Sequence, residues 1–475
     1  MKSSCAFAVV FVALASGTAG AQPNGLWIGC PWEGTPAPIN DVALWDSDGA
    51  EPLAARPFLA TDAGLFTKDP DGTIRSFEGF ETRVTSLTGW DPDGPGPAPS
   101  SLIVALQNNP FEQSLVVAVV PQPNGSFSLQ SLGCLDSDIR TLSVYDTDGD
   151  GFDELVAGGA FENLIDGGIP TPLNKTAVLD GSTWSPLGTA PNGTVEVAIN
   201  APCEAGQSAF ECDGDSTLIL GGFFSQAGGQ SADALACWDD NAGDWESCVA
   251  GFDLATTTVI RAVAPWDSGG SSPGSELIVA GFNIVVNGVA TGNIAHSDGS
   301  GWSGFGTGFF GNIEAVTTFD VDGDGVPEPI AAAVVSDGGL FPFQIRYWDG
   351  DAWQVLDGGE IVAGGFTQVK DYLSYDPDGP GGAGPELIVV GSFASATIDG
   401  VSGVDHLAVW IPDAAGGGCN IADLVEPFGV LDFFDLQAYL NLYAANDPAA
   451  DLNGDGVRDF FDVQAFLNAF ADGCP

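Results

Sequence analysis

Oxygen-bearing side chains recur at a fixed spacing in one segment near the carboxyl terminus. They stand at positions 1, 3, 5, 9 and 12 of a single loop: Asp451, Asn453, Asp455, Asp459 and Asp462. Ca²⁺ takes six to eight oxygen ligands, and a loop of this pattern supplies them from side chains and one backbone carbonyl. Gly456 at position 6 permits the sharp turn, and Val457 at position 7 is placed to offer the carbonyl. The spacing predicts a calcium site.

Two other loops place carboxylates at positions 1, 3, 5 and 9 with glycines between them. The first loop has Asp146, Asp148, Asp150 and Glu154, and the second has Asp320, Asp322, Asp324 and Glu328. The residue at position 7, Phe152 or Val326, would add its carbonyl. A solvated acidic turn is the alternative, but two copies in the same frame favour calcium in a structural role. These loops resemble the calcium loops of FG-GAP propeller repeats, which implies a metal that joins the first strand of a blade to the second.

The loops lie within a longer repeat. Seven short alternating strands, six of them ending in an aromatic-Asp pair, recur between Asp46 and Asp376, so the mean period is (376 − 46)/6 = 55 residues. Each is followed by an apolar strand, a third strand and a fourth, which is the pattern of a β-propeller. The seventh unit lacks a fourth strand, and the segment Asn24–Gly29 would complete it and close the ring. We expect a mainly β, seven-bladed propeller over residues 22–410, with six blades as the alternative because unit one is the weakest copy.

A second duplication follows a Gly-rich linker at residues 411–418. The segment Asp432–Asn441 matches Asp459–Asn468 at an offset of 27, and each copy continues as a helix with apolar residues at i, i+3, i+4 and i+7. Residues 419–475 resemble a GC-type dockerin, a small α-helical EF-hand-like domain. The resemblance implies calcium-dependent binding to a cohesin-like or other cell-surface protein, and a plain EF-hand pair is the alternative.

The first loop of this duplication departs from the pattern. It is one residue longer and has Val425 and Pro427 where oxygen ligands should stand. Asp423, Asp432 and Asp435 are its candidate ligands, and whether it binds calcium stays open. The resemblance to dockerins also bears on four phenylalanines, Phe433, Phe434, Phe460 and Phe461. They include the positions where dockerins display Ser or Thr that contact cohesin, so these rings are either core or an apolar partner surface.

Charge and the amino terminus bear on location. With 64 Asp and Glu against 11 Lys and Arg, the net charge is −53, which repels nucleic acid and anionic lipid surfaces. Lys2, the apolar run Cys5–Ala15 and the small residues up to Ala21 predict a signal peptide over residues 1–21, too short to span a membrane. No later segment is long and apolar enough to insert. We expect a secreted protein, associated with the cell surface.

Eight cysteines follow the predicted cleavage site, and an even number in an oxidising compartment permits disulfides. We expect Cys237–Cys248 to bridge a hairpin and Cys203–Cys212 to close a local loop. Cys419–Cys474 would join the ends of the dockerin-like domain, and the pairing of Cys30 and Cys134 stays open.

No catalytic constellation is readable. A hydrolase or lyase site at the central opening of the propeller would need His, Tyr, Arg or paired acids there. Because the chain has only two His, six Tyr and seven Arg, we do not expect a catalytic site at this opening. We expect a non-catalytic binding or structural protein that takes an extracellular glycan or protein ligand on the propeller. The alternative is a dockerin-tethered polysaccharide hydrolase or lyase with its site on the propeller.

Overall fold

The computed structural model describes most of the propeller segment and a few residues beyond it. The described ranges are 25–29, 37–46, 55–68, 74–94, 100–108, 113–122, 126–166, 169–202, 216–248, 257–269, 276–286, 288–297, 301–334, 343–362, 367–376, 385–394, 396–398, 401–412, 436–440, 443, 463–464, 466–467 and 470. The predicted signal peptide, residues 1–21, lies outside them.

The described chain forms seven principal antiparallel sheets, which we call blades one to seven. After β1 (Gly25–Gly29), blade one contains β2 (Ile39–Trp45), β3 (Arg56–Thr61), β4 (Gly64–Lys68) and β5 (Ile74–Ser76). Blade two contains β6 (Val84–Trp90), β7 (Ser101–Asn108), β8 (Gln113–Pro121) and β9 (Phe127–Leu135). Blade three has β10 (Ile139–Tyr145), β11 (Glu154–Gly159), β14 (Thr176–Asp180) and β15 (Thr183–Pro186). The hairpin β12 (Asn163–Leu164) and β13 (Thr171–Pro172), between β11 and β14 in the chain, pairs with β9 and extends the sheet of blade two.

The remaining blades follow the same order. Blade four has β16 (Thr194–Pro202), β17 (Ser216–Phe223), the hairpin β18 (Gln226–Ala227) and β19 (Gln230–Ser231), β20 (Leu235–Asp239) and β21 (Asp244–Glu246). Blade five has β22 (Val259–Trp266), β23 (Glu276–Phe282), the hairpin β24 (Val285–Val286) and β25 (Val289–Ala290), β26 (Ile294–Ser297) and β27 (Trp302–Gly304). Blade six has β28 (Val316–Phe319), β29 (Glu328–Val334), β30 (Phe343–Trp348) and β31 (Trp353–Ile361). Blade seven has β32 (Gln368–Tyr375), β33 (Glu386–Ser392), the hairpin β34 (Ala396–Ile398) and β35 (Val401–Val404), and β36 (Leu407–Pro412).

The ring is closed by strands from both ends of the propeller segment. β1 pairs antiparallel with β36, with Trp27 opposite Trp410, and so provides the fourth strand of blade seven. The first strands of neighbouring blades contact one another around the whole ring, and β2 of blade one contacts β32 of blade seven. The prediction of seven blades with an amino-terminal closing strand is confirmed, and the six-blade alternative is wrong.

The core lies within and between the blades. Buried apolar residues form clusters that each combine neighbouring blades, such as the cluster that joins Trp27 and Trp410 of blade seven to Ile330 of blade six. Trp245 and Trp410 are among the largest fully buried side chains. The repeated tryptophans therefore pack between sheets, as their recurrence predicts.

A β-bulge interrupts the first strand in six of the seven blades, where the pairing with the second strand shifts by one residue. The residues that the shift leaves unpaired are Asn40, Thr85, Arg140, Glu196, Arg261 and Lys370. In blades three, four, five and seven, a glycine of the second strand faces the bulge. A Cβ on Gly281 would lie 2.0 Å from the carbonyl oxygen of Val259, so a larger residue would clash there.

Side chains that follow the bulges join one blade to the next. In each of four bonds, a side-chain oxygen of one blade accepts a hydrogen bond from a backbone N–H of the following blade. The bonds run from Val42 N–H to Asp371 Oδ2 (3.0 Å), from Leu87 N–H to Asp41 Oδ2 (2.8 Å), from Leu142 N–H to Ser86 Oγ (3.1 Å) and from Ala198 N–H to Thr141 Oγ1 (3.1 Å). The series runs from blade seven through blade one to blade four. Each bond satisfies a donor of a strand that lines the centre of the ring.

Two carboxyl groups meet where blade seven contacts blade one. Asp371 and Asp41 are hydrogen-bonded to each other, and burial raises the pKa of both. Repulsion by Asp41 raises the pKa of Asp371 further, well above its ordinary value. Because two adjacent carboxylates repel strongly, the pair holds one proton, which we assign to Asp371.

One predicted disulfide falls within the described residues. Cys237 of β20 and Cys248 form a disulfide bond, which confirms that pairing. Cys134 of β9 is a free, half-buried thiol. Cys30, Cys203, Cys212, Cys419 and Cys474 lie outside the described residues, so their pairings stay predictions.

A few described residues of the carboxyl-terminal segment are helical, at 436–440, 443, 463–464, 466–467 and 470. Tyr439 and Phe466 are fully buried, and their rings stack with centroids 4.3 Å apart. Leu440 and Leu467, which the sequence places on the same apolar faces, are each 50% exposed. Among the described residues no helix has the length and apolar character needed to cross a membrane.

Candidate metal centres

The loop between β10 and β11 of blade three gathers the four carboxylates that the sequence nominates. Asp146, Asp148, Asp150 and Glu154 each offer an oxygen, and these oxygens lie within 4.8 Å of one another. Opposite ligands of one Ca²⁺ lie roughly 5 Å apart, which is twice the metal–oxygen distance. The four oxygens are therefore close enough to bind the same ion.

Backbone N–H groups fix the side chain of Asp146 within this loop. Its Oδ1 accepts a hydrogen bond from Gly149 N–H at 2.7 Å, and its Oδ2 accepts one from Gly151 N–H at 2.8 Å. Gly149 and Gly151 have φ angles of 76° and 91°, which favour glycine. Glu154 closes the loop because its Oε2 accepts a hydrogen bond from Thr147 N–H at 2.8 Å.

The loop between β28 and β29 of blade six repeats this arrangement. Asp320 accepts from Gly323 N–H at 2.7 Å and from Gly325 N–H at 2.9 Å, and Glu328 Oε2 accepts from Val321 N–H at 2.9 Å. Asp320, Asp322 and Glu328 bring their oxygens within 4.8 Å of one another. Asp324 does not belong to that cluster, and its Oδ1 accepts a hydrogen bond from Val326 N–H at 2.8 Å. Its role as a ligand stays a prediction.

The acid that ends each loop is partly withdrawn from water. Burial raises the pKa of Glu328 to about 7, and repulsion by Asp322, Asp320 and Asp324 adds to the shift. Burial also raises the pKa of Glu154, with smaller contributions from Asp148 and Asp146. A divalent cation placed among these groups would remove the repulsion, because it favours the ionised form of every neighbouring carboxyl group.

Each loop is also joined to the preceding blade by an indole. Trp90, at the end of β6 in blade two, donates from Nε1 to the carbonyl of Asp153 at 2.8 Å. Trp266, at the end of β22 in blade five, donates from Nε1 to the carbonyl of Pro327 at 3.1 Å. Neither bond was predicted from the sequence. The sequence does contain a signal for these bonds, because each tryptophan ends the first strand of the unit that precedes the acidic loop.

The predicted ligands of the carboxyl-terminal loops lie outside the described residues. These residues are Asp423, Asp432, Asp435, Asp451, Asn453, Asp455, Val457, Asp459 and Asp462. Only helical positions that follow each loop are described, and they include the stacked pair Tyr439 and Phe466.

The chain is similar to known proteins among solved structures. No protein-family model matches the chain, and no curated protein matches it. Among solved structures, the chain is similar to one described as "Crystal structure of BBS1N in complex with ARL6DN, soaked with lead". The identity is 10%, the match covers 82% of this chain and 97% of that chain, and the TM-score is 0.43. We draw nothing about function from this likeness.

Proposed function

We propose that the protein is a secreted, cell-surface-associated, non-catalytic binding or structural protein. In this proposal, Ca²⁺ braces blades three and six of its propeller. A calcium-dependent, dockerin-like segment at residues 419–475 attaches the propeller to a cohesin-like or other cell-surface protein.

The repeated geometry of the two acidic loops supports calcium as the cofactor. Both loops hold their first Asp by glycine N–H groups and their final Glu by the N–H of the second loop residue. Both also gather at least three carboxylate oxygens within 4.8 Å. We would not expect two solvated acidic turns, in blades three and six, to share this arrangement. Two sites for the same oxygen-coordinated cation would share it. This is the single observation on which the proposal depends.

The positions of the loops indicate what the bound ion would do. Asp146 and Glu154 stand at the end of β10 and the start of β11, so ligation would join the first two strands of blade three. Trp90 already ties the same loop to blade two. Metal binding would therefore strengthen a blade and its contact with the preceding blade. This role is the one that the resemblance to FG-GAP loops implies.

The carboxyl-terminal part of the proposal is supported by the sequence duplication and by the packed pair of rings. Tyr439 and Phe466 occupy matching positions of the two copies, since 466 − 439 = 27 is the offset of the repeat. Their stacking is consistent with two equivalent helices that pack face to face, as in a domain built from two loop-helix halves.

The experiment is a calorimetric Ca²⁺ titration of the full chain, together with its thermal unfolding. The test variant carries Asp148→Ala and Asp322→Ala, because alanine removes the ligand oxygen, whereas an Asn at position 3 of such a loop can itself bind Ca²⁺. The control is Asp351→Ala, which removes an exposed carboxylate in a turn outside both clusters. We expect the variant to bind two fewer calcium ions per chain and to gain less stability from Ca²⁺ than the wild type or the control. Equal stoichiometry in the variant and the wild type would remove the two propeller sites.

A separate measurement tests the tether. We expect the wild-type full chain to capture a cohesin-like domain in Ca²⁺ but not in chelator. The full chain carrying Asp451→Ala should fail to capture it even in Ca²⁺. Capture that persists in chelator would contradict the calcium-dependent tether, and it would leave the propeller sites unaffected.

A further inference from the structure

A cavity of about 160 Å³ lies at the centre of the ring, and residues from all seven blades line it. The lining residues are Asn40, Arg83, Thr85, Asp138, Ile139, Arg140, Glu196, Arg261, Glu314 and Lys370. Every residue that a bulge leaves unpaired in a first strand is among them. The bulges therefore bring one side chain from each of six blades to the cavity, and Glu314, which precedes β28, comes from blade six.

The charge of this lining differs from that of the rest of the protein. Arg83, Arg140, Arg261 and Lys370 supply four of the 11 Lys and Arg of the chain, whose net charge is −53. The lining carries three acids, so its formal charge is 4 − 3 = +1. The few cations of the chain are therefore concentrated at this cavity, although the expectation that the propeller lacks a well-equipped catalytic site stays a prediction.

The cations of the cavity differ in how fully they are bound. Arg83 is held by Asp62 at 2.9 Å and donates to Gln107 Oε1 at 3.1 Å. Arg261 instead lies between two acids, with Nη1 3.6 Å from Glu196 Oε2 and 3.5 Å from Glu314 Oε2. These distances exceed ordinary hydrogen bonds. Among the described residues, the buried Nε of Arg261 has no hydrogen-bond partner.

Neighbouring groups leave Arg261 open to a ligand. Lys370 Nζ is 3.3 Å from Glu314 Oε2, and Gln368 donates to Glu314 Oε1 at 3.1 Å, so Glu314 is already engaged. The guanidinium group presents a planar fork of donors, and a carboxylate is the group that such a fork matches with two parallel bonds. Glu196, on the other side of Arg261, is an acceptor that a ligand hydroxyl group could satisfy.

We propose that the central cavity binds a small hydroxylated carboxylic acid. Arg261 and Lys370 would bind the carboxylate, and Glu196 would accept a hydrogen bond from a hydroxyl group. A volume of 160 Å³ equals roughly five water molecules, which limits the ligand to a small molecule or the end of a larger one.

This site is independent of the calcium loops. The bulges lie near the start of the first strands, whereas Asp146 and Asp320 follow the ends of β10 and β28. Failure of one proposal therefore leaves the other in place, and the binding experiment is performed with Ca²⁺ present throughout.

The test is a calorimetric titration of the full chain with glucuronate, which has a carboxylate and hydroxyl groups, and with glucose, which lacks the carboxylate. We expect glucuronate to bind and glucose to bind at least about tenfold more weakly. Arg261→Gln should weaken glucuronate binding by about tenfold or more, because a charge-assisted pair is lost. Arg75→Gln, an exposed arginine in β5 with the same change of charge, should leave binding unchanged.

A second variant guards against a folding defect. Lys370→Gln removes a different cation of the cavity, and the circular dichroism spectrum and melting temperature of each variant show whether it is folded. Equal binding of glucose and glucuronate, or no binding of glucuronate, would overturn the proposal. It would also be overturned if both folded cavity variants bound glucuronate as the wild type does, or if Arg75→Gln weakened binding as much as they do.

Discussion

Replacing Asp371 by Asn should change how the stability of the protein depends on pH. Asp371 and Asp41 share one proton where blade seven meets blade one, and the pKa of Asp371 is raised well above its ordinary value by burial and by Asp41. Below the ordinary value of 3.8, both the folded and the unfolded chain bind this proton. Above that pH the unfolded chain releases the proton and the folded chain keeps it, so the free energy of unfolding falls as pH rises.

The size of the effect follows from proton linkage. One proton retained only in the folded state lowers the free energy of unfolding by about 1.4 kcal/mol for each pH unit, until the pair itself ionises. An Asn at position 371 offers an amide donor to Asp41 and an oxygen to Val42 N–H, but it does not titrate. As pH rises through this range, the free energy of unfolding of Asp371→Asn minus that of the wild type should therefore increase by about 1.4 kcal/mol per pH unit.

Urea unfolding at constant ionic strength, followed by tryptophan fluorescence from about pH 4.5 to about pH 6.5, measures this difference. The remaining acids titrate in both proteins, so their contribution cancels in the comparison. Asp180→Asn, an exposed site at the end of β14, is the charge-matched control and should follow the wild type. Parallel profiles for Asp371→Asn and the wild type would refute the shared proton.

Two further substitutions test the packing of the blades. Gly281→Ala should lower the free energy of unfolding by about 1–3 kcal/mol in the same urea assay, because its Cβ would meet the Val259 carbonyl. Gly269→Ala, where a Cβ meets nothing within 4 Å, should change it little. Replacing Cys237 and Cys248 together by Ala should cost about 3 kcal/mol by calorimetry, since their disulfide closes a loop with a sequence separation of 11. Cys134→Ser is the control, and a loss as large as that of the double variant would contradict the disulfide's role.

The strands of the blades were predictable because their sequence pattern is strong. The repeat predicts an apolar second strand after each first strand, and in blade three this strand is β11 (Glu154–Gly159). The closing role of β1 followed from a missing fourth strand in the last unit. The short hairpins, such as β18 and β19, were not predicted because strands of two residues have no readable alternation.

Other features depend on contacts that one unit of sequence does not contain. The spacing of the four blade-three carboxylates within nine residues brings their oxygens together, whereas their role as calcium ligands stays a prediction. The bond from Trp90 to Asp153 joins residues 63 positions apart, and it exists only because two blades are adjacent. The central cavity likewise depends on bulges, whose register shift follows from strand pairing and leaves no local sequence pattern.

The pairing of β1 with β36 joins the first and the last described strands of the propeller segment. Blades one to six are each built from strands that lie close together in the sequence, whereas blade seven cannot be completed until residue 412 has been made. A chain that has lost residues 25–29 would leave β36 with an open hydrogen-bonding edge. Such an edge can pair with the β1 strand of a second molecule, so loss of residues 25–29 by proteolysis would favour strand exchange between molecules.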